Sequence, residues 1–137
     1  MRGVSGSGKS TRAGELAGPY GKIHSTDSYF YKKGKYCFDP KRLAEYHHLN
    51  FEAFRRSLEK GVTVVICDNT NIRHRDYRHY IGAAQKAGYD WFIVEMSEPS
   101  PILAAVRNIH GVPQKIIERM MSNWEPLDIP TELCHRA

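Results

Sequence analysis

Apolar positions along the chain alternate between short continuous runs and longer stretches with helical spacing. Residues 62–67 (VTVVIC) are apolar at every position except Thr63, which predicts a strand buried on both faces, as in a parallel sheet. Residues 22–25 and 91–96 are two further short segments that we expect to form strands.

Helical features occupy the segments between and after these strands. Asp39 followed by Pro40 predicts the N-cap and first turn of a long helix that ends near Gly61. The predicted buried face of this helix recurs at steps of about three and four residues, at Leu43, His47, Asn50, Phe51, Phe54 and Leu58. We expect other helices at residues 9–17, 71–87 (capped by Asn71), 100–108 and 113–124. The alternation predicts an α/β fold, with helices flanking a mostly parallel sheet through right-handed crossovers.

Composition narrows the class of protein only slightly. The chain has 137 residues, of which 41% are hydrophobic and 26% charged, as expected for one globular domain. It has no apolar run of membrane-spanning length and no signal peptide, so we expect a cytoplasmic protein without membrane contact. The net charge of +5 favours an anionic partner. The three cysteines match neither a metal site nor a disulfide framework.

The first residues carry the clearest motif. Gly3, Gly8, Lys9 and Ser10 fit the pattern G-x-x-x-x-G-K-[ST] of the phosphate-binding loop. Glycines let successive backbone N–H groups turn inward around phosphate oxygens, the lysine reaches the outer phosphates, and the serine hydroxyl suits Mg²⁺. We therefore expect ATP and Mg²⁺ to bind here, with contacts from Gly3, Ser5, Gly6, Ser7, Gly8, Lys9, Ser10 and Thr11.

Such a loop normally follows a buried strand, whereas only Met1 and Arg2 precede Gly3. We expect the first strand of the sheet to be truncated, which would leave a gap beside its neighbours.

Two acidic residues follow predicted strands. Carboxyl ends of parallel strands meet in one crevice, so Asp27 and Asp68 should face the phosphate loop. We expect Asp68 to hold Mg²⁺ together with Ser10, although it could instead cap a turn, and Asn69 and Thr70 could face the substrate. Asp27 suits the general base that a kinase needs to accept the proton of the attacking hydroxyl; its alternative role is an N-cap.

A turn rich in functional residue types lies near the carboxyl end. Arg107 and Arg119 flank the segment HGVP, where one predicted helix ends and the next begins. We expect residues 100–124 to form a helical lid, with Arg107 binding the nucleotide and neutralising charge that develops during transfer. Arg119 is a weaker candidate, because it could be an ordinary surface residue.

The blocks GVSGSGKST, STDSYF, VICDNTNI and RNIHGVP occur in the order found in the polynucleotide-kinase-like P-loop kinase domains, a family that this chain resembles over residues 3–124. The resemblance implies a single P-loop kinase domain over residues 1–137, with ATP and Mg²⁺ binding and phosphoryl transfer to the 5′-hydroxyl of DNA or RNA. It also implies catalytic roles for Lys9, Asp27 and Arg107. The phage enzyme of this family has an arginine shortly after its base, but this chain has an aromatic run there, Tyr29, Phe30 and Tyr31.

Basic residues beside the predicted site give weak support for nucleic acid. Lys32, Lys33 and Lys35 follow the aromatic run, whose rings could stack on bases, and Arg73, Arg75 and Arg78 begin a predicted helix. A solvated helix face and a half-buried aromatic turn would give the same pattern.

Three functional hypotheses remain. The leading one is a kinase that acts on a hydroxyl at a polynucleotide end. The second is a small-molecule or nucleotide-sugar kinase on the same scaffold, and the third is an interaction module that binds ATP without transferring phosphate.

Overall fold

The computed structural model describes residues 1–137, with five α-helices and six short strands. The helices are α1 (Lys9–Ala17), α2 (Leu43–Glu59), α3 (His74–Lys86), α4 (Pro101–Arg107) and α5 (Gln114–Ser122). The strands are β1 (Lys22–His24), β2 (Tyr31–Lys32), β3 (Lys35–Tyr36), β4 (Val65–Cys67), β5 (Ile93–Glu95) and β6 (Cys134–Arg136), and 3₁₀ turns occupy Thr26–Phe30, Pro40–Arg42 and Thr131–Leu133.

The central sheet is parallel, as predicted. β1 pairs with β4, and β5 pairs with β6. Met1 and Arg2 connect the two pairs, because the Met1 amino group donates to the Cys67 carbonyl at 2.9 Å and the Arg2 N–H donates to the Val94 carbonyl at 2.8 Å. The strand order is therefore β1, β4, Met1–Arg2, β5, β6, which leads the chain directly from the middle of the sheet into the phosphate loop.

A cavity of about 310 Å³ is lined by Met1, Arg2 and residues of β4 and β5. Its lining is mainly apolar and includes Val65, Phe92 and Val94. The predicted strand over residues 62–67 is longer than the observed strand β4. The pairing of this segment with β1 starts only where the Lys22 N–H donates to the Val64 carbonyl and Lys22 lies opposite Val65. Val64 is consequently 36% exposed rather than buried on both faces.

Arg2 anchors the entry to the loop from within the protein. Its side chain is only 1% exposed, and its guanidinium pairs with Glu95 at 2.7 Å and donates to the carbonyls of Asn71 and Ile72. The same group lies 4.0 Å from the centre of the Trp124 ring. A buried charge is tolerated only when its donors are satisfied, and this set of partners satisfies them.

The helices follow the predicted pattern with two exceptions. α1 spans the predicted residues, and Asp39 accepts from the Lys41 N–H at 3.0 Å as the predicted cap of the turn that leads into α2. Asn50, Phe54 and Leu58 are buried on the predicted face of α2, but His47 is exposed. The prediction that Asn71 caps α3 is wrong: Asn71 has a left-handed backbone with φ of 50° and donates to the Met1 carbonyl.

Two elements were not foreseen in the sequence. The segment YKKGKY forms an antiparallel hairpin, β2–β3, whose turn places Lys33 and Gly34 at φ of 50° and 79°. β6 adds a strand at the edge of the sheet, although its sequence Cys-His-Arg lacks an apolar alternation.

Packing ties the lid helices to the phosphate loop. Val4, Ala104 and Ile117 form one buried cluster, so the loop contacts both α4 and α5. α2 and α3 pack through Phe54, Leu58, Tyr80 and Ala84. None of the helices combines the length and the hydrophobicity that a membrane span needs.

Candidate active site

The phosphate loop is held in its curled shape by glycine conformation and by close packing. Gly6 and Gly8 have φ of 80° and 91°, values that other residues rarely adopt. A Cβ atom on Gly6 would lie 2.1 Å from the Ala104 carbonyl oxygen, so α4 leaves no space for a side chain here. The loop therefore depends on glycine both for its backbone turn and for its contact with the lid.

Lys9 is buried at the start of α1. Its Nζ donates to the Val4 carbonyl at 2.9 Å, inside the loop. Burial lowers the pKa of Lys9, and the carboxylates of Asp68 and Asp27 oppose this shift. Both predicted acids thus lie close enough to act on the loop lysine, as expected for residues at the carboxyl ends of neighbouring strands.

Ser10 and Asp68 meet across the loop. The Ser10 hydroxyl donates to Asp68 Oδ2 at 2.7 Å, and Asp68 is 5% exposed. The other oxygen, Asp68 Oδ1, is buried without a hydrogen-bond partner, as is the Ser7 hydroxyl. A hydroxyl and a carboxylate with a spare oxygen are hard ligands of the kind that Mg²⁺ takes, with phosphate and water completing its shell. The predicted pair Ser10 and Asp68 therefore fits a magnesium ion.

A cleft of about 470 Å³ opens beside the loop. Arg107, at the end of α4, lines this cleft, and Arg119 does not. The remaining lining residues are Gly6, Gly8, Thr11, Arg12, Glu15 and Met96. The structure thus separates the two predicted lid arginines, because only the first faces the loop.

Asp27 lies in the 3₁₀ turn that follows β1. The preceding residue, Thr26, donates its N–H to Asn69 Oδ1 at 2.9 Å, which joins this turn to the loop after β4. Asp27 does not act as an N-cap; its carboxylate is 49% exposed and accepts from the Tyr36 hydroxyl at 2.9 Å. Burial and this hydrogen bond raise the pKa of Tyr36.

His110 is a second neighbour of Asp27 that the sequence analysis missed. Its Nε2 lies 3.6 Å from Asp27 Oδ2, and its ring packs against Tyr36 with centroids 4.3 Å apart and the ring planes tilted by 36°. The sequence features that mark these two positions are the turn HGVP for His110 and the turn residues Lys33 and Gly34 for Tyr36. Neither signal indicates which residue the side chain contacts.

The predicted basic and aromatic groups divide into those that face solvent and those that support the fold. Lys32, Lys33 and Lys35 are exposed on the hairpin. Tyr31 and Phe38 are 44% and 55% exposed nearby, but Phe30 is buried at 1% and cannot stack on a base. Tyr29 stacks on Tyr46, with ring centroids 5.6 Å apart.

The arginines of α3 mostly hold the carboxyl-terminal segment. Arg73 donates to Asn123 Oδ1 at 2.6 Å, and Arg78 pairs with Asp128. Arg75 is 77% exposed and pairs only with the adjacent Asp76. Of the predicted basic residues, the three hairpin lysines and Arg75 thus have no ion-pair partner in another element.

Comparison with known proteins agrees with this geometry. The family described as AAA domain matches residues 1–127. NEDD4-binding protein 2 of Homo sapiens is 39% identical over 133 residues, which cover 91% of this chain and 7% of that protein. YLP motif-containing protein 1 is 30% identical over 151 residues in both Homo sapiens and Rattus norvegicus, covering 91% of this chain and 7% and 11% of those proteins. The chain thus spans a small part of the length of the curated relatives that it matches.

A family match over nearly the whole chain accounts for the glycine loop, the parallel strands and the helices that pack on the loop. The chain belongs to the AAA domain family and is a polynucleotide-kinase-like P-loop domain, of a class that supports nucleotide binding and phosphotransfer-type activity.

Proposed function

We propose that this domain transfers the γ-phosphoryl group of ATP to the 5′-hydroxyl of a DNA or RNA end. The observation that carries the proposal is the pair of carboxylates that follow neighbouring parallel strands: Asp68 comes after β4 and accepts from the Ser10 hydroxyl at 2.7 Å, and Asp27 comes after β1. Asp68 is buried beside Ser10 and fits the metal ion of a nucleotide, and Asp27 is half exposed, so that an acceptor could approach it. A protein that only binds ATP has no use for the second carboxylate.

Each of these residues has a separate role in the proposed reaction. Backbone N–H groups of the loop and of the first turn of α1 bind the phosphates together with the Lys9 ammonium, and Arg107 faces the cleft from the lid. Bound to Ser10 and Asp68, Mg²⁺ would draw negative charge from the phosphate oxygens. Asp27 accepts the proton of the acceptor hydroxyl as its oxygen bonds to the γ-phosphorus, while the bond from that phosphorus to the bridging oxygen breaks and ADP leaves.

The surface beside Asp27 supports a polynucleotide acceptor over a small molecule. The hairpin carries exposed lysines at Lys32, Lys33 and Lys35, and the rings of Tyr31 and Phe38 are open to solvent near them. Lysines suit backbone phosphates, and exposed rings suit stacking with unpaired bases. A small-molecule kinase would not need such a surface.

The test uses ATP labelled in the γ-phosphate, Mg²⁺, and 5′-hydroxyl oligonucleotides of DNA and RNA in parallel. We expect label on the oligonucleotide, with a loss of about 10²–10⁴-fold in Asp27→Asn because a general base is removed. Asp90→Asn changes an exposed aspartate outside the cleft and should retain full activity. Absence of label on both nucleic acids would overturn the proposal, and label on a small alcohol alone would indicate the second type of kinase.

A further inference from the structure

His110 lies in the turn between α4 and α5 and has no part in the function proposed above. It is 18% exposed, and its imidazole sits between Asp27 and Tyr36. Asp27 is therefore contacted by two different parts of the fold: Tyr36 from the hairpin at Oδ1 and His110 from the lid at Oδ2.

The burial of the ring indicates which nitrogen carries the proton. His110 Nδ1 is buried and has no hydrogen-bond partner, whereas Nε2 faces the Asp27 carboxylate. A buried N–H without a partner is more costly than a buried lone pair, so the neutral ring should carry its proton on Nε2. The Nε2–H group then lies 3.6 Å from Asp27 Oδ2, longer than a hydrogen bond, so it can orient the carboxylate through its dipole.

The turn that carries His110 is held by hydrogen bonds of one side chain, Asn108. The Asn108 side chain donates to the Ala105 and Val112 carbonyls at 2.8 and 3.1 Å, and it accepts from the Val112 N–H at 2.7 Å. Arg107, which lines the nucleotide cleft, directly precedes this turn. Because Arg107 and His110 are joined through this hydrogen-bonded turn, we expect a movement of the lid that shifts Arg107 to shift His110 as well.

We propose that His110 is a positioning residue that couples the placement of the lid over the nucleotide to the orientation of Asp27. This inference rests on the proposed function, because it assigns His110 a role in setting the base of that reaction. The Tyr36 ring supports the imidazole on one face, and the Tyr36 hydroxyl holds the other carboxylate oxygen. The base is thus aligned only when the hairpin and the lid are both in place.

Three variants separate positioning from packing. His110→Phe keeps a ring against Tyr36 but removes the donor, and His110→Gln restores a donor. His48→Phe replaces an exposed histidine of α2 as the matched control. We expect His110→Phe to lower kcat by about 10- to 100-fold, the effect of a misplaced reacting group, with the affinity for ATP unchanged. His110→Gln should recover most of the loss, and His110→Phe should have no further effect in the Asp27→Asn background.

The inference is overturned if His110→Phe retains full kcat, if glutamine gives no rescue, or if the loss is equally large in the Asp27→Asn background. Urea unfolding of His110→Phe, Asp27→Asn and the double variant tests the contact without relying on catalysis. Non-additive changes in the free energy of unfolding are expected for side chains that interact, and additive changes would contradict the contact. A wild-type protein that transfers no phosphate but shows this coupling would refute the proposed function while leaving the pairing of His110 with Asp27 intact.

Discussion

The Ser10 hydroxyl donates a hydrogen bond of 2.7 Å to Asp68 Oδ2, joining the first turn of α1 to the residue after β4. The two residues are 58 positions apart in the chain. Because Asp68 Oδ1 has no partner, the pair has a free buried acceptor.

Substitution of Asp68 should therefore remove the dependence of ATP binding on magnesium. We expect Asp68→Asn to weaken ATP binding by about tenfold or more in the presence of Mg²⁺, because an oxygen ligand of the ion loses its charge. Titration calorimetry with Mg²⁺ and with EDTA measures this difference. Asp90→Asn is the control, and an unchanged response of Asp68→Asn to Mg²⁺ would contradict the assignment.

Gly6→Ala tests the contact between the loop and α4. A methyl group at Gly6 would collide with the Ala104 carbonyl. The alanine would also have to adopt the left-handed φ of 80° that the loop has at this position. We expect a loss of about 1–3 kcal/mol in the free energy of unfolding, together with loss of ATP binding. Gly14→Ala is the matched control in α1, because no atom lies within 4 Å of its Cβ position, and it should raise stability by up to about 1 kcal/mol. Equal stability of the two variants would show that α4 does not confine the loop.

Arg107 and Arg119 should differ in their effect on catalysis. Arg107 lines the cleft and Arg119 does not, so Arg107→Ala should lower kcat by about 10²–10³-fold through loss of charge neutralisation. Arg119→Ala should lie close to the wild type. Steady-state labelling with saturating ATP compares the two. A larger loss in Arg119→Ala would mean that a different face of the lid closes over the nucleotide.

The salt dependence of oligonucleotide binding should depend on the hairpin. Each lysine that neutralises a phosphate contributes about 0.7 to the slope of log affinity against log salt for single strands. We expect Lys33→Gln with Lys35→Gln to reduce this slope by roughly 1–1.5, as measured by fluorescence anisotropy of a labelled oligonucleotide. The control pair Lys60→Gln with Lys86→Gln removes the same number of charges. These two lysines are exposed at the ends of helices away from the hairpin. Identical slopes for both pairs would exclude the hairpin as the binding surface.

Stability should fall as the pH drops below the ordinary pKa of histidine. Burial lowers the pKa of His24 from 6.5, and the positive charges of Arg56 and Lys22 add to this shift. Above pH 6.5 the residue is neutral in both folded and unfolded states, so it has no effect on stability. Below this pH the unfolded chain takes up the proton more readily, and the free energy of unfolding decreases.

Urea unfolding at pH 7.5 and 5.5 measures this change, and His24→Gln should reduce it. His48→Gln changes an exposed histidine and should leave the change as in the wild type. A pH response that is the same in His24→Gln and in the wild type would assign the effect to other groups.

Local sequence patterns were sufficient to predict the elements whose conformation is set by residues close together in the chain. The glycine spacing predicted the phosphate loop and its helix, because left-handed backbone positions select glycine directly. Asp39 and Pro40 predicted the start of the long helix, and they cap the 3₁₀ turn that leads directly into α2. Asp27 and Asp68 were found because they follow strands, and parallel strands bring their carboxyl ends to a common edge.

Contacts between distant side chains were decided by tertiary packing. The pairing of His110 with Asp27, and of Tyr36 with both, joins three elements that no periodicity connects. Arg78 was a candidate for nucleic acid until packing placed Asp128 against it. Asn71 was expected to cap a helix, but its side chain binds the Met1 carbonyl at the centre of the sheet. A residue type limits which bonds a side chain can make, whereas the packed fold determines which partner lies within reach.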